Sequence, residues 1–162
     1  MIFAALGTSI PFPRLLKRLD ELAEEIDEEI IVQAGTTKLP VKYCKVFDYA
    51  PSLHDYYSEA RLAIVHAGLG VQLELIRMKK PFLAIPRLAK YHEHGDDHQT
   101  ETCEMISQKY GTRYIINLQD LTPELLSSYH YTPIYSDKNL QDFHRNTVSY
   151  THLRAHETVL DL

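Results

Sequence analysis

Residues 61–87 read RLAIVHAGLGVQLELIRMKKPFLAIPR, which is the pattern of a strand, a helix and a second strand. In the predicted strands 61–65 and 82–85, every residue after Arg61 is apolar, as expected of strands that are covered on both faces. Between them, residues 71–78 carry apolar side chains at helical spacing, and Pro81 stops the helix. Two strands joined by a crossover helix form the unit from which parallel sheets are built. This stretch therefore predicts a parallel sheet with a helix packed on it.

The same alternation continues on both sides of this stretch. Apolar runs predict further strands, and amphipathic or capped segments predict further helices. The predicted strands are 2–6, 30–34, 42–47 and 113–117, and the predicted helices are 13–29, 51–60, Asp96 or Asp97 to about Tyr110, and one that begins at Thr122-Pro123. The predicted fold class is therefore α/β, a mostly parallel sheet with helices on both faces.

The size and charge of the chain narrow its function classes. Its 162 residues predict one domain, and its net charge of −5, without a basic aromatic patch, argues against a nucleic-acid partner. No apolar run reaches the ~20 residues of a membrane-spanning helix, and the apolar start lacks the basic stretch of a signal peptide. Two widely separated cysteines, Cys44 and Cys103, favour a reducing compartment. We expect a cytoplasmic protein with one domain over residues 1–147, followed by a tail, 148–162, that resembles a non-native extension.

Glycine and polar residues stand where four of the predicted strands end. They are Gly7-Thr8, Gln33 with Gly35, His66 through Gly70, and Pro86-Arg87. In an open parallel sheet, ligands bind beyond the carboxyl ends of the strands. The sequence therefore predicts a ligand site at this edge.

The turn from His66 to Gly70 connects a strand to a helix. Glycines allow the backbone to approach an anion, and a helix N-terminus offers free N–H groups and a positive dipole end. Leu73 stands where the last glycine of a complete dinucleotide-binding motif would be. Two interpretations therefore stay open, a phosphate-binding turn or a simple tight turn. Glu74 would either accept hydrogen bonds from ribose hydroxyls or balance the positive end of the helix.

Residues 86–99, PRLAKYHEHGDDHQ, are the densest polar stretch of the chain. His94 and His98 are four residues apart, but no H-E-x-x-H motif or cysteine pair completes a zinc site, so no metal is predicted. The alternatives are an exposed, mobile surface loop and a loop that closes over a ligand, which fits the composition better. The second alternative would use the charges of Arg87 and Lys90 and the hydrogen-bonding groups of His98 and Gln99.

Taken together and in order, five segments resemble the C-terminal, donor-binding half of MurG-like transferases, which form glycosyltransferase family 28 and have the GT-B architecture. They are Gly7-Thr8 with Pro11-Phe12 and Arg14-Leu15; Gln33-Ala34-Gly35; His66-Ala67-Gly68-x-Gly70-x-x-x-Glu74; Lys80-Pro81 with Ile85-Pro86-Arg87; and Glu93-His94-x-Asp96-Asp97-His98-Gln99-x-Glu101. The resemblance covers about residues 1–126. It is strongest to the small free-standing members, the catalytic subunit of the eukaryotic UDP-GlcNAc transferase that acts on dolichol-linked GlcNAc and the PssE-type subunits of exopolysaccharide and capsule synthesis.

The resemblance implies a Rossmann-like domain and a role for each matching residue in donor binding. The turn at Gly68 and Gly70 would present N–H groups to the diphosphate, and Glu74 would hold the ribose hydroxyls. His66 is, by position, a candidate base for the acceptor hydroxyl. Gly7 and Thr8 would lie near the phosphates, Pro86 and Arg87 along the nucleotide pocket, and Asp97, His98 and Gln99 at the donor sugar or diphosphate. Gln33 and Gly35 complete the predicted donor-binding residues.

The implied function is that of a UDP-sugar-dependent glycosyltransferase subunit in polysaccharide synthesis. It would transfer a hexose or N-acetylhexosamine to a lipid-linked saccharide acceptor, with the UDP-sugar as donor substrate and no metal or other cofactor. A membrane-anchored, Rossmann-like partner would supply the acceptor site and recruit the chain to the cytoplasmic face of the membrane, and the chain alone would be inactive. The alternative is a non-catalytic subunit that binds a UDP-sugar or stabilises its partner. A weaker alternative, a self-sufficient epimerase, would need both GT-B halves in one chain.

Overall fold

The computed structural model describes residues 1–130, and within them the backbone forms a six-stranded sheet in which every neighbouring pair is parallel. The strands are β1 (Ile2–Ala5), β2 (Ile30–Gln33), β3 (Lys45–Phe47), β4 (Leu62–His66), β5 (Phe82–Ile85) and β6 (Arg113–Tyr114). Their order, β3-β2-β1-β4-β5-β6, is that of a doubly wound Rossmann-like sheet. The predicted fold class is confirmed. The predicted domain end at residue 147 and the tail 148–162 lie outside the described residues.

Helices cover both faces of this sheet. They are α1 (Pro13–Glu25), α2 (His54–Glu59), α3 (Leu69–Arg77), α4 (His98–Tyr110) and α5 (Pro123–Ser128), with short 3₁₀ turns at Ala89–Tyr91 and Leu118–Asp120. One core cluster joins α1 and α5 to one face, and a second joins α2, α3 and α4 to the other. Alternate residues of β1 divide between the clusters, as the two-residue period of a strand requires. Among residues 1–130, no helix is both long enough and apolar enough to cross a membrane.

Among the boundaries that differ from the predicted ones, those of α1 and β3 do so because charged side chains take other partners. Helix α1 ends at Glu25 rather than at residue 29. Its end is crowded with carboxylates, which oppose the negative end of the helix dipole. Glu28 instead pairs with Arg61 and with the N-terminal ammonium group of Met1. The Arg61 hydrogen bond, against some desolvation, holds the pKa of Glu28 below its usual range.

Strand β3 begins at Lys45 rather than at residue 42 because the preceding backbone is bonded to a helix. The carboxylate of Asp20, on α1, accepts hydrogen bonds from the N–H groups of Lys42, Tyr43 and Cys44 at 2.8–3.2 Å. These N–H groups are therefore directed at α1 instead of at strand β2.

Candidate functional site

Two loops meet in backbone contact at the carboxyl edge of β1 and β2. Gly7, with φ of +88°, begins the loop after β1, and Gly35, with φ of +58°, lies in the turn after β2. A Cβ atom at Gly35 would lie 2.1 Å from the carbonyl oxygen of Gly7 and 2.9 Å from the Cα of Thr8. Glycine is therefore required at position 35 by space as well as by backbone angle. The two loops form one continuous surface, with Thr8 exposed on it.

Gln33 supports these loops from below. Its side chain is 1% exposed, and its Nε2 donates to the carbonyl oxygens of Asp48 at 2.9 Å and Gly7 at 3.4 Å. The amide thus links the loop after β1 to the segment after β3. A direct contact between Gln33 and a donor substrate remains a prediction.

The guanidinium of Arg87, which follows β5, is buried beneath the same edge. Arg87 is 0% exposed, and its Nη2 donates to the carbonyl oxygens of Leu6 at 2.5 Å and Ile10 at 2.6 Å. A Cβ at Gly7 would lie 3.1 Å from this nitrogen, so the small residue makes room for the guanidinium. The ring of Phe12 lies 4.9 Å from the guanidinium carbon, a favourable position for a buried cation. Arg87 therefore contacts the protein itself here, and its contact with a ligand remains a prediction.

His66, the last residue of β4, contacts this guanidinium. Its ring is 6% exposed, and its Nδ1 lies 3.2 Å from Nη1 of Arg87. Because a guanidinium has N–H donors and no acceptor, Nδ1 is the acceptor in this hydrogen bond. The end of β4 and the loop after β1 are thus joined through one buried side chain.

The N-terminus of α3 follows directly after His66. Gly68 is its N-cap residue with φ of −65° and has no side chain with which to cap the helix, and the first turn, which includes Gly70, contains no acidic residue. The helix thus begins two residues earlier than the predicted residue 71, and Gly70 is half-buried within it. This geometry suits an anion, and phosphate binding at the turn remains a prediction.

Glu74 lies farther along α3 and is half-buried. Burial, and to a smaller extent the charge of Glu74, raise the pKa of Tyr57, which belongs to α2. The role of Glu74 toward a ribose remains a prediction.

The two ends of the polar stretch 86–99 are hydrogen-bonded to each other. Gln99 is 2% exposed, and its Oε1 accepts the backbone N–H of Arg87 at 2.9 Å. Asp97 is exposed, and its Oδ1 accepts the N–H of Ala89 at 2.9 Å. His98, in the first turn of α4, is 5% exposed with Nδ1 at 3.8 Å from the carboxylate of Glu101. These bonds give the stretch a defined conformation.

No three His, Cys, Asp or Glu side chains converge as metal ligands within residues 1–130. His94 pairs with Asp96 at 3.2 Å. That donor binding needs no metal remains a prediction.

The sequence reasoning did not single out the pair of Arg14 and Glu93. Glu93 is 4% exposed and receives two hydrogen bonds from the Arg14 guanidinium, at 2.8 and 3.0 Å, and one from the N–H of Leu88. The Arg14 guanidinium also lies 4.6 Å from the ring centre of Tyr91. The pair clamps the polar stretch to the start of α1. Opposite charges 79 positions apart give no pairing signal in one sequence.

Lys80, part of a matching segment, lies away from the candidate site. Its Nζ donates to the carbonyl oxygens of Ala60 at 2.5 Å and Ser58 at 3.3 Å, which end α2. Burial lowers its pKa. Its observed contacts are thus those of a helix C-terminal cap.

The structure thus joins six of the predicted site residues through direct contacts or hydrogen bonds. They are Gly7, Gln33, Gly35, His66, Arg87 and Gln99. Gly68 and Gly70 follow His66 at the start of α3, and Pro86 is buried next to Arg87. Asp97 and His98 directly precede Gln99 at the start of α4, and Glu74 lies farther along α3; contacts of these three residues with a donor substrate remain a prediction.

Comparison with known proteins gives a family. The sequence profile described as the glycosyltransferase family 28 C-terminal domain matches residues 11–153. The match extends beyond residue 126, where the motif resemblance ends, and into the predicted tail. Among curated protein sequences, none matches the chain significantly.

Solved structures share the fold. MurG from Acinetobacter baumannii superposes with a TM-score of 0.58 at 18% identity, over 78% of this chain and 40% of MurG. The glycosyltransferase SnogD from Streptomyces nogalater gives 0.56 at 17%, over 93% of this chain and 39% of SnogD. The solution structure of ALG13 gives 0.58 at 20%, over 93% of this chain and 96% of ALG13. The chain thus spans about two fifths of MurG and SnogD and nearly all of ALG13.

Proposed function

Because this chain belongs to glycosyltransferase family 28 and carries its C-terminal domain, we propose that it is the donor-binding subunit of a UDP-sugar-dependent glycosyltransferase. The transferred group is a hexose or N-acetylhexosamine, and the acceptor is a lipid-linked saccharide of polysaccharide synthesis. The observation that carries the proposal is the uncapped N-terminus of α3, which directly follows His66 and the glycine loops joined to it. The UDP-sugar is the substrate, and no cofactor takes part.

The start of α3 suits the diphosphate of such a donor. The first N–H groups of a helix have no partner within it, and the positive end of the dipole attracts an anion. A glycine N-cap and a glycine in the first turn allow an oxygen to approach these groups. Glu74, farther along the same helix, would accept hydrogen bonds from the ribose hydroxyls.

The same groups would assist the chemistry. In a direct displacement, the acceptor oxygen bonds to the anomeric carbon while the bond from that carbon to the phosphate oxygen breaks. UDP leaves with the electron pair, and the hydroxyl proton passes to a base. The N–H groups at α3 would stabilise the charge that develops on the leaving phosphate. The base is either His66 or a group of the partner.

The acceptor site belongs to a second, membrane-anchored Rossmann-like subunit in this proposal. The chain covers only 40% of MurG, which supports a further domain in the active enzyme. It covers 96% of ALG13, which is a chain of similar length. That partner would bring the complex to the cytoplasmic face of the membrane. If the chain only binds the UDP-sugar or stabilises the partner, donor binding remains but catalytic substitutions in this chain have no effect on turnover.

Titration calorimetry with UDP tests the donor site. We expect saturable binding, and we expect Glu74→Ala to weaken it about ten- to a hundredfold because the ribose loses hydrogen bonds to a charged acceptor. Uridine, which lacks the diphosphate, should bind more weakly than UDP. Glu25→Ala, an exposed carboxylate at the end of α1, is the matched control and should leave the affinity unchanged.

Two results would contradict the proposed site. Equal affinities for UDP and uridine would remove the role of the α3 N-terminus. An unchanged affinity in Glu74→Ala would remove the ribose contact.

A further inference from the structure

We propose that Arg87 is a positioning residue for donor binding, which holds His66 in the tautomer protonated on Nε2 and fixes the loop after β1. The proposal rests on the proposed function, because it takes this loop and His66 as parts of the donor site. The residue that the sequence suggested as a ligand contact would then act through its neighbours.

Arg87 determines which nitrogen of the His66 imidazole carries the proton. Nη1 of Arg87 lies 3.2 Å from Nδ1 of His66, and both side chains are buried. Since the guanidinium can only donate, Nδ1 must offer its lone pair, and the proton of the neutral ring resides on Nε2. Any hydrogen bond that Nε2 makes is then made as a donor.

This tautomer changes the role expected of His66. A ring that carries its proton on Nε2 can donate to an anionic oxygen but cannot accept a proton at that atom. The lone pair of Nδ1, the other ring nitrogen, is already taken up by the hydrogen bond from Arg87. His66 therefore serves as a hydrogen-bond donor, and the base for the acceptor hydroxyl lies elsewhere.

Arg87 also fixes the loop after β1. A single nitrogen, Nη2, donates to the carbonyl oxygens of Leu6 and Ile10, which flank residues 7–9 on both sides. The guanidinium thus fixes the start and the end of the loop together. It reaches His66 through Nη1 at the same time, so the loop and the ring share one rigid planar group.

The position of Arg87 is itself built by the fold. Phe12 packs its ring at 4.9 Å from the guanidinium carbon, and Oε1 of Gln99 holds the backbone N–H. A lysine at this position keeps the charge but has one nitrogen, which cannot reproduce the planar fork. The conservative variant Arg87→Lys therefore separates charge from geometry.

The experiment measures the tautomer and UDP affinity on the same proteins. Long-range ¹H–¹⁵N spectra of the full chain, with His66→Gln to assign the signal, report which ring nitrogen carries the proton without any ligand. We expect Nε2–H in the wild type and a mixture of tautomers in Arg87→Lys. We expect UDP affinity to fall at least tenfold in Arg87→Lys. The control variant is Arg61→Lys. Arg61 is a half-buried arginine at the opposite edge of the sheet, where it donates to Glu28 and to the carbonyl oxygen of Leu126. This variant should keep the wild-type tautomer and the wild-type UDP affinity.

The outcomes separate this proposal from the proposed function. A proton on Nδ1 of His66 in the wild type would overturn it, and this result does not depend on whether Arg87→Lys folds. Retention of both the tautomer and the UDP affinity in a folded Arg87→Lys would also overturn it. If the wild type binds no UDP, the proposed function fails, while the spectra still decide whether Arg87 sets the tautomer.

Discussion

Gly35 shows how closely the candidate site constrains a single residue. Its φ of +58° lies in the left-handed region, and its Cα faces the carbonyl oxygen of Gly7. Because that oxygen belongs to backbone, it cannot rotate away as a side chain would. The position therefore combines a conformational and a steric requirement.

We predict that Gly35→Ala destabilises the protein by about 3 kcal/mol, the sum of a left-handed alanine and an overpacked contact. Thermal and urea unfolding measure this loss. Gly95→Ala is the control, because a Cβ there meets nothing within 4 Å, and it should change stability little. Equal stabilities of the two variants would show that the loops are not in the described contact.

Arg87 shows what a single sequence hides at the same scale. Its residue type and its place after a strand predict a charge at the ligand edge, and arginine side chains are usually exposed. Its complete burial depends on carbonyl oxygens about eighty positions earlier and on the ring of Phe12. Such contacts become visible only when the strands are assembled.

At the scale of elements, the order of strands and helices is predictable because buried parallel strands give continuous apolar runs. The caps are also predictable where residue types are specific: Gly111 ends α4 with φ of +67°, and Thr122 caps α5 ahead of Pro123. The ends of α1 and β3 are not predictable in this way. They are decided by Asp20 and Glu28, whose partners are distant in sequence.

Asp20 gives a pH-dependent prediction for these elements. Burial alone would raise the pKa of its carboxyl, but the hydrogen bonds from the backbone of Cys44, Tyr43 and Lys42 lower it below the ordinary value of 3.8. A lowered pKa in the folded state means that the bonds stabilise the fold above the unfolded value and are lost as the pH falls through the folded one.

We therefore expect Asp20→Asn to cost about 1 kcal/mol at neutral pH, because a neutral amide oxygen accepts weaker hydrogen bonds than a carboxylate does. The difference from wild type should shrink as the pH drops below 3.8. Urea unfolding across this range measures it, with Glu25→Gln, an exposed carboxylate on the same helix, as control. A difference that grows toward low pH would contradict the described bonds.

At the scale of the whole molecule, the proposal requires two polypeptides for transfer. We predict that the 162-residue chain alone binds UDP but transfers no sugar, and that transfer appears when the membrane-anchored partner and a lipid-linked acceptor are added. Activity of the complex should persist in EDTA. Transfer is assayed with the chain, the partner and the acceptor in all combinations, with and without EDTA. Robust transfer by the chain alone to a soluble acceptor would contradict the division of the active site between two polypeptides. Loss of activity in EDTA would contradict metal-free binding.

The position of the donor site is the central claim, and backbone amide NMR tests it most directly. UDP is titrated into the ¹⁵N-labelled chain while the amide signals of both edges of the sheet are followed. We predict saturable shifts at the carboxyl edge, at Gly7, Gly35 and Gly70, with Glu28 and Arg61 at the amino edge unchanged. Shifts confined to the amino edge, or no saturable shift at any concentration of UDP, would contradict the claim.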